Sequence, residues 1–129
     1  MKKAKDKFTI LSAMSSVIDI LHYVDDVEDL DFYVLTDERL RMVKDECNYL
    51  SECMKVSPRQ AALFTIILEI SQGETISKRD LACALKANFM QVLSYETEFQ
   101  ALENAKLIER CHKGRIRVND DALTCFEND

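Results

Sequence analysis

Breakers are scarce in this chain, with two glycines and one proline in 129 residues, and tryptophan is missing altogether. So few tight turns exclude a many-stranded β fold and make a mainly helical architecture the expectation. The five cysteines, Cys47, Cys53, Cys83, Cys111 and Cys125, contain no CxxC pair and are odd in number. With only His22 and His112 as further soft ligands, they fit no usual zinc framework, and free thiols in a reducing cytoplasm account for them. No run approaches the roughly 18 apolar residues of a membrane span, so no membrane contact is expected and the expected location is cytoplasmic. Met1-Lys-Lys-Ala-Lys-Asp-Lys7 followed by Phe8 to Leu21 has the outline of a leader, but Asp6, Asp19 and the lack of a small-x-small cleavage site argue against one. A GxxxxGK[ST] loop is also lacking, so these residues cannot hold nucleotide in the P-loop manner.

What is present is organised around Ser57 to Ser71. Ser57 can cap a helix and Pro58 can occupy its first position, where a missing N–H costs nothing. Ala61, Ala62, Leu63, Phe64, Ile66, Ile67, Leu68 and Ile70 then leave almost no wet face, so the helix must be covered from several sides. Ala61, Phe64, Ile67 and Leu68 are expected to face one layer, and Leu63, Ile66 and Ile70 another.

Two amphipathic helices are expected before it. Phe8, Leu11, Met14, Ile18 and Leu21 recur at helical spacing over about Asp6 to Val24. Thr36, with Asp37 and Glu38 behind it, starts a second helix whose stripe is Leu40, Val43, Cys47, Leu50 and Met54, ending near Lys55. Between them residues 25–31 hold five acids in seven positions and read as a solvated loop. This stretch lacks the glycine and the closing glutamate of an EF-hand, which argues against calcium. These residues, 1–56, form an amino-terminal helical part, and 57–129 a second part that shares the core helix 58–70.

The pattern then changes. Gly73 stops the core helix, Thr75-Ile76 leaves room for a very short strand, and Ser77-Lys-Arg-Asp80 is a capping box with Ile76 and Leu81 placed as its hydrophobic staple. That predicts a helix from Lys78 to about Lys86. Asn88 and Gln91 repeat the box spacing and predict one helix from Phe89 to about Ala105, with Val92, Tyr95, Phe99 and Leu102 inward. Leu107 to His112 and Arg115 to Val118 flank Lys113-Gly114, read as a two-residue hairpin turn. Asp120 to Glu127 can add a last helical turn or two.

Helix, short strand, helix, helix, hairpin is the order of a winged helix-turn-helix, which Ser57 to Val118 resembles. The most specific parts are Ile76-Ser-Lys-Arg-Asp-Leu-Ala82, Leu102-Glu-Asn-Ala-Lys-Leu-Ile108 and the Lys-Gly turn. Tyr49-Leu50-Ser51, Ser57-Pro-Arg-Gln-Ala-Ala-Leu-Phe64, Leu68-Glu-Ile-Ser71 and Leu93-Ser-Tyr-Glu-Thr-Glu-Phe99 also resemble the amino-terminal region that precedes the ATPase module in AAA-type ATPases of Bacteroidetes-like bacteria. That resemblance implies a non-catalytic accessory domain serving a downstream ATPase module, with protein or nucleic-acid contacts. A free-standing winged-helix transcription regulator is the alternative.

Charge divides the nucleic-acid reading. The expected reading helix, Phe89 to Ala105, has Glu96, Glu98 and Glu103 and no lysine or arginine, so phosphate repels it. Asn88, Gln91, Gln100 and Asn104 could read bases but gain little electrostatic help. Lys78, Arg79, Arg110, Lys113, Arg115 and Arg117 are the candidate contacts for nucleic acid or an acidic partner, with Arg115 and Arg117 on one face of the wing and Ile116 and Val118 on the other. Ordinary edge-strand cations, which discourage edge-to-edge pairing, explain the same residues. His22 and His112 stand on different elements, and adjacent Cys111 and His112 would point to opposite strand faces, so no catalytic set and no cofactor or metal site is expected.

Overall fold

The computed structural model describes residues 8–127. Among them are eight α-helices and two antiparallel two-stranded sheets, so the chain is mainly helical. In chain order the elements are α1 (Ile10–Leu21), β1 (His22–Asp25), β2 (Leu30–Tyr33), α2 (Asp37–Met42), α3 (Lys44–Met54) and α4 (Pro58–Ser71). They continue with α5 (Lys78–Leu85), α6 (Phe89–Leu93), α7 (Glu96–Asn104), β3 (Ile108–Arg110), β4 (Ile116–Val118) and α8 (Asp120–Glu127).

Helix α4 is the strut that its composition predicts. Ser57 accepts from the Gln60 N–H while the Gln60 side chain accepts from the Ser57 N–H, and Pro58 opens the helix. Every residue from Ala61 to Ile67 is buried, including Thr65, whose hydroxyl donates back to the Ala61 carbonyl at 2.8 Å. Leu68 and Ile70, expected inside, are only partly buried and rest on the core's edge. The helix contacts α1, α3, α5, α7 and β4, and one buried cluster runs from Ile10 through to Phe126.

Several boundaries differ from expectation. The first helix stops at Leu21 and the chain turns into a hairpin, so Asp25 lies in β1 and Leu30 and Asp31 lie in β2, leaving only residues 26–29 of the supposed acidic loop as turn. Asp6 and Lys7, placed at the helix start, lie outside the described residues. The hairpin is supported by aromatic pairs across it, Tyr23 with Phe32 and His22 with Tyr33, each with ring centroids 5.2 Å apart. Its second strand lies against α5, where the Lys86 ammonium sits 5.0 Å from the Phe32 ring centroid.

The second expected helix is broken at Val43, whose backbone is non-helical and whose side chain is fully buried, giving α2 and α3 instead of one element. The helix expected over 89–105 is likewise two, because the backbone leaves the helical path at Tyr95 and α7 restarts at Glu96. Thr36, Ser77 and Asn88 cap as their sequence spacing predicts.

The second hairpin closes by a three-residue loop, His112-Lys113-Gly114, instead of a two-residue turn. The Cys111 N–H donates to the Arg115 carbonyl at 2.7 Å, and Lys113 and Gly114 both have positive φ, 61° and 75°. One extra residue in the loop shifts the pairing, so Glu109 opposes Arg117 and Arg110 opposes Ile116. A two-residue turn would have set Arg110 opposite Arg117, and the observed register replaces that repulsion with an ion pair. Ile76 joins this hairpin through two backbone hydrogen bonds with Ile116, each 2.8 Å, so the very short strand expected over Thr75-Ile76 is a single-residue bridge.

Candidate functional site

The six basic residues singled out in the sequence fall at one end of the carboxy-terminal part. Lys78 and Arg79 open α5, Arg110 lies in β3, Lys113 is in the loop, Arg115 precedes β4 and Arg117 lies within it. Arg115 links two of these groups. Its Nε donates to the Thr75 hydroxyl at 2.8 Å, its Nη2 donates to the Thr75 carbonyl at 3.1 Å, and Asp80 lies 3.9 Å away. The guanidinium therefore ties the hairpin to the start of α5.

Arg110 and Arg117 are held in the same way. Arg117 Nη2 donates to Glu109 at 2.7 Å across the strand pair, and this bond raises the guanidinium's pKa above its usual value. Arg110, on the opposite strand face, turns toward α7: Nη2 donates to Glu96 at 2.9 Å, Glu103 is 3.7 Å from Nε, and the guanidinium carbon lies 5.6 Å from the Phe99 ring centroid. All three arginines of the hairpin thus spend their charge on the protein's own acceptors. Ile116 and Val118 are buried beneath, as strand alternation predicts.

The other three candidates are not tied down by carboxylates. Lys78, Arg79 and Lys113 have no ion pair within 4.0 Å among the described residues, although Arg79 lies 5.9 Å from the Phe89 ring centroid. Comparison with family models, curated proteins and solved structures finds no match to this chain.

Sequence reasoning passed over a second feature of this end. Phe89, Met90 and Leu93 on α6 are exposed, Met90 to 73%, while only Val92 of that helix is buried. Helical spacing marks Val92 as inward but is blind to the break at Tyr95, after which α6 and α7 no longer share one buried face. The surface of α6 and α7 is therefore apolar at α6 and acidic at α7, the helix that packs on β3.

Among the described residues no cluster of three His, Cys, Asp or Glu is placed to hold a metal ion, and no helix is long and apolar enough to cross a membrane. Cys47 is buried, and desolvation, followed by the nearby Glu46, pushes its thiol up to about 11, far from a reactive thiolate.

The Arg110 pair is open to measurement. Its hydrogen bond holds the Glu96 carboxyl below the usual carboxylate range, with a further pull from Lys78. A carboxyl whose pKa falls on folding stabilises the fold above its unfolded value and loses that contribution as pH drops through the folded value. Glu96 is more than half exposed, so the stabilisation is small, and the titration itself is the better readout. Arg110→Gln is expected to return the Glu96 carboxyl to the ordinary range in an NMR titration. An unchanged titration would mean that the pair does not form in solution.

Proposed function

We propose that residues from Ser57 onward form a winged helix-turn-helix and that the chain is a non-catalytic interaction domain whose partner at this end is a protein. The order α4, Ile76 strand, α5, α6–α7 and β3–β4 hairpin supports the fold reading, and the Ile76–Ile116 bridge supports it further. In that fold α6–α7 and the hairpin are the surfaces that would approach a duplex.

The observation that carries the protein reading is the engagement of Arg110, Arg115 and Arg117 by Glu96, Glu109, Thr75 and Asp80. A duplex would have to compete for guanidinium groups already bonded while tolerating Glu96 and Glu98 at its phosphates. Exposed Phe89, Met90 and Leu93 offer area that a protein can cover and a phosphate backbone cannot use. The parent, following the sequence resemblance, is a bacterial AAA-type ATPase whose module lies downstream. A Walker-type glycine-lysine loop in the coding frame beyond Asp129 is the expected finding, and a stop codon there would remove that parent.

Fluorescence anisotropy with a labelled duplex, from low to moderate salt, tests the partner class. The expected result is no salt-sensitive binding, and no change for Arg115→Glu combined with Arg117→Glu. A salt-sensitive affinity that this double variant abolishes would overturn the protein reading in favour of a stand-alone winged-helix DNA-binding transcription regulator.

A further inference from the structure

The end of the molecule just described leaves another basic feature unused. Between α2, α3 and the start of α4 lies a cleft of about 340 Å³ whose apolar lining is buried Cys47, half-buried Leu40 and exposed Pro58. Its rim carries Arg41, Lys44 and Arg59, with Asp37 as the single acid. Arg59 reaches Asp37 at 3.8 Å, whereas Arg41 and Lys44 have no ion pair within 4.0 Å among the described residues. The hairpin arginines, by contrast, each have a carboxylate within 4.0 Å. In a chain of net charge −6, a cleft with an excess of cations around an apolar lining is set apart from its surroundings.

The chain also carries the complement. The turn of the β1–β2 hairpin holds Asp26, Val27, Glu28 and Asp29, and Val27 at its tip is 93% exposed. The turn is well formed, because the Asp25 carboxylate accepts from the Val27 and Glu28 N–H groups at 3.1 and 3.3 Å. It therefore presents one apolar side chain ringed by acids on a pre-ordered loop, and pre-ordering lowers the entropy lost on binding. Because Val27 is almost wholly exposed, the tip does not occupy the cleft of its own copy.

We propose that the Arg41–Lys44–Arg59 cleft is a docking site for the β1–β2 hairpin of a second copy of this chain, with Val27 over Leu40 and Pro58 and the acids against Arg41 and Lys44. The contact joins two different faces, so it is heterologous, and a pair keeps one free cleft on one copy and one free tip on the other. Association then runs head to tail, grows with concentration and weakens with salt as the exposed charges are screened. It does not use the α6 surface, so it stands or falls separately from the partner reading above.

Sedimentation velocity on the full chain over a concentration series, at low and high salt, is the test. Two half-interface variants sharpen it: Arg41→Gln with Lys44→Gln removes the two cleft cations that lack an ion pair, and Asp26→Asn with Glu28→Gln removes two of the three tip acids. Each pair alters exposed side chains, and circular dichroism confirms the fold before comparison. Each is expected to weaken self-association by about tenfold, the loss of two exposed ion pairs. Mixing the two restores a dimer and nothing larger, since only one intact cleft and one intact tip remain per pair. Val27→Ser is expected to weaken association at unchanged charge. A wild-type chain that stays monomeric throughout overturns the proposal, and so does association that the cleft variant leaves intact.

Discussion

Phe64→Ala is expected to destabilise the protein by about 3–5 kcal/mol, the range for emptying a fully buried phenylalanine site. Phe64 is 0% exposed in the middle of α4, and its ring meets Phe126 of α8 edge to face, with centroids 5.9 Å apart and planes at 70°. Truncation removes the transfer free energy of the ring, the aromatic pair and the contacts of side chains on both sides of the strut. The void cannot close easily. Helix α4 is gripped by α1, α3, α5, α7 and β4, so a shift that filled the space on one side would open it on another. Urea denaturation followed by far-UV circular dichroism measures the effect. A loss below about 1 kcal/mol would mean that the site collapses or is exposed, and α4 would not be the centre of the core.

Such a loss can be anticipated because the features that build α4 are local. A serine cap, a proline at the first position and an apolar run interrupted only by Thr65 and Glu69 are legible within fifteen residues, and the Ser77–Asp80 and Asn88–Gln91 boxes are equally local. What escaped the sequence depends on distance or on conformations that residue type disfavours. Glycine scarcity was a sound reason to expect few strands, but the chain makes left-handed helix ends from Lys55, Gln72 and Lys86, and the hairpin loop uses Lys113 beside Gly114. Each such residue is uncommon in that region, so composition hides the turns. The β1–β2 hairpin escaped for a related reason: its acids read as solvated loop, while Tyr23 and Phe32 find each other only once the chain has folded back.

The candidate site divides in the same way. Which face Ile116 and Val118 take follows from alternation, and the structure bears it out. That Arg110, Arg115 and Arg117 are already bonded does not follow, because the partners lie 14, 40 and 8 residues away. The last of these turns on a single extra loop residue. With a two-residue turn Arg117 would face Arg110 and the hairpin would present concentrated charge, whereas the three-residue loop brings it opposite Glu109. A one-residue change in register thus separates a surface suited to phosphate from one largely neutralised.

The second large effect concerns how far the two parts of the chain depend on each other. Leu50→Ala is expected to cost about 2–5 kcal/mol and to lower the stability of residues 8–56 and of the carboxy-terminal part together. Leu50 is fully buried on α3, between α1 and α4, and it belongs to the same contiguous cluster as Ile116 and Phe126. Two further contacts bind the parts: β2 lies on α5, and α8 returns to pack on α1. With one shared core there is no surface along which the first three helices can melt while α4 keeps its burial, so a single cooperative transition is the physical expectation. Tyr23 and Tyr49 report on one part and Tyr95 on the other, so NMR signals from these rings should disappear at the same urea concentration in the wild type and at the same lower concentration in Leu50→Ala. If Tyr23 and Tyr49 were lost in the variant while Tyr95 held its native shift, the parts would be separate folding units. The α4 core would then be complete without α1 and α3, and the apolar side it turns to them would be free for another protein to cover.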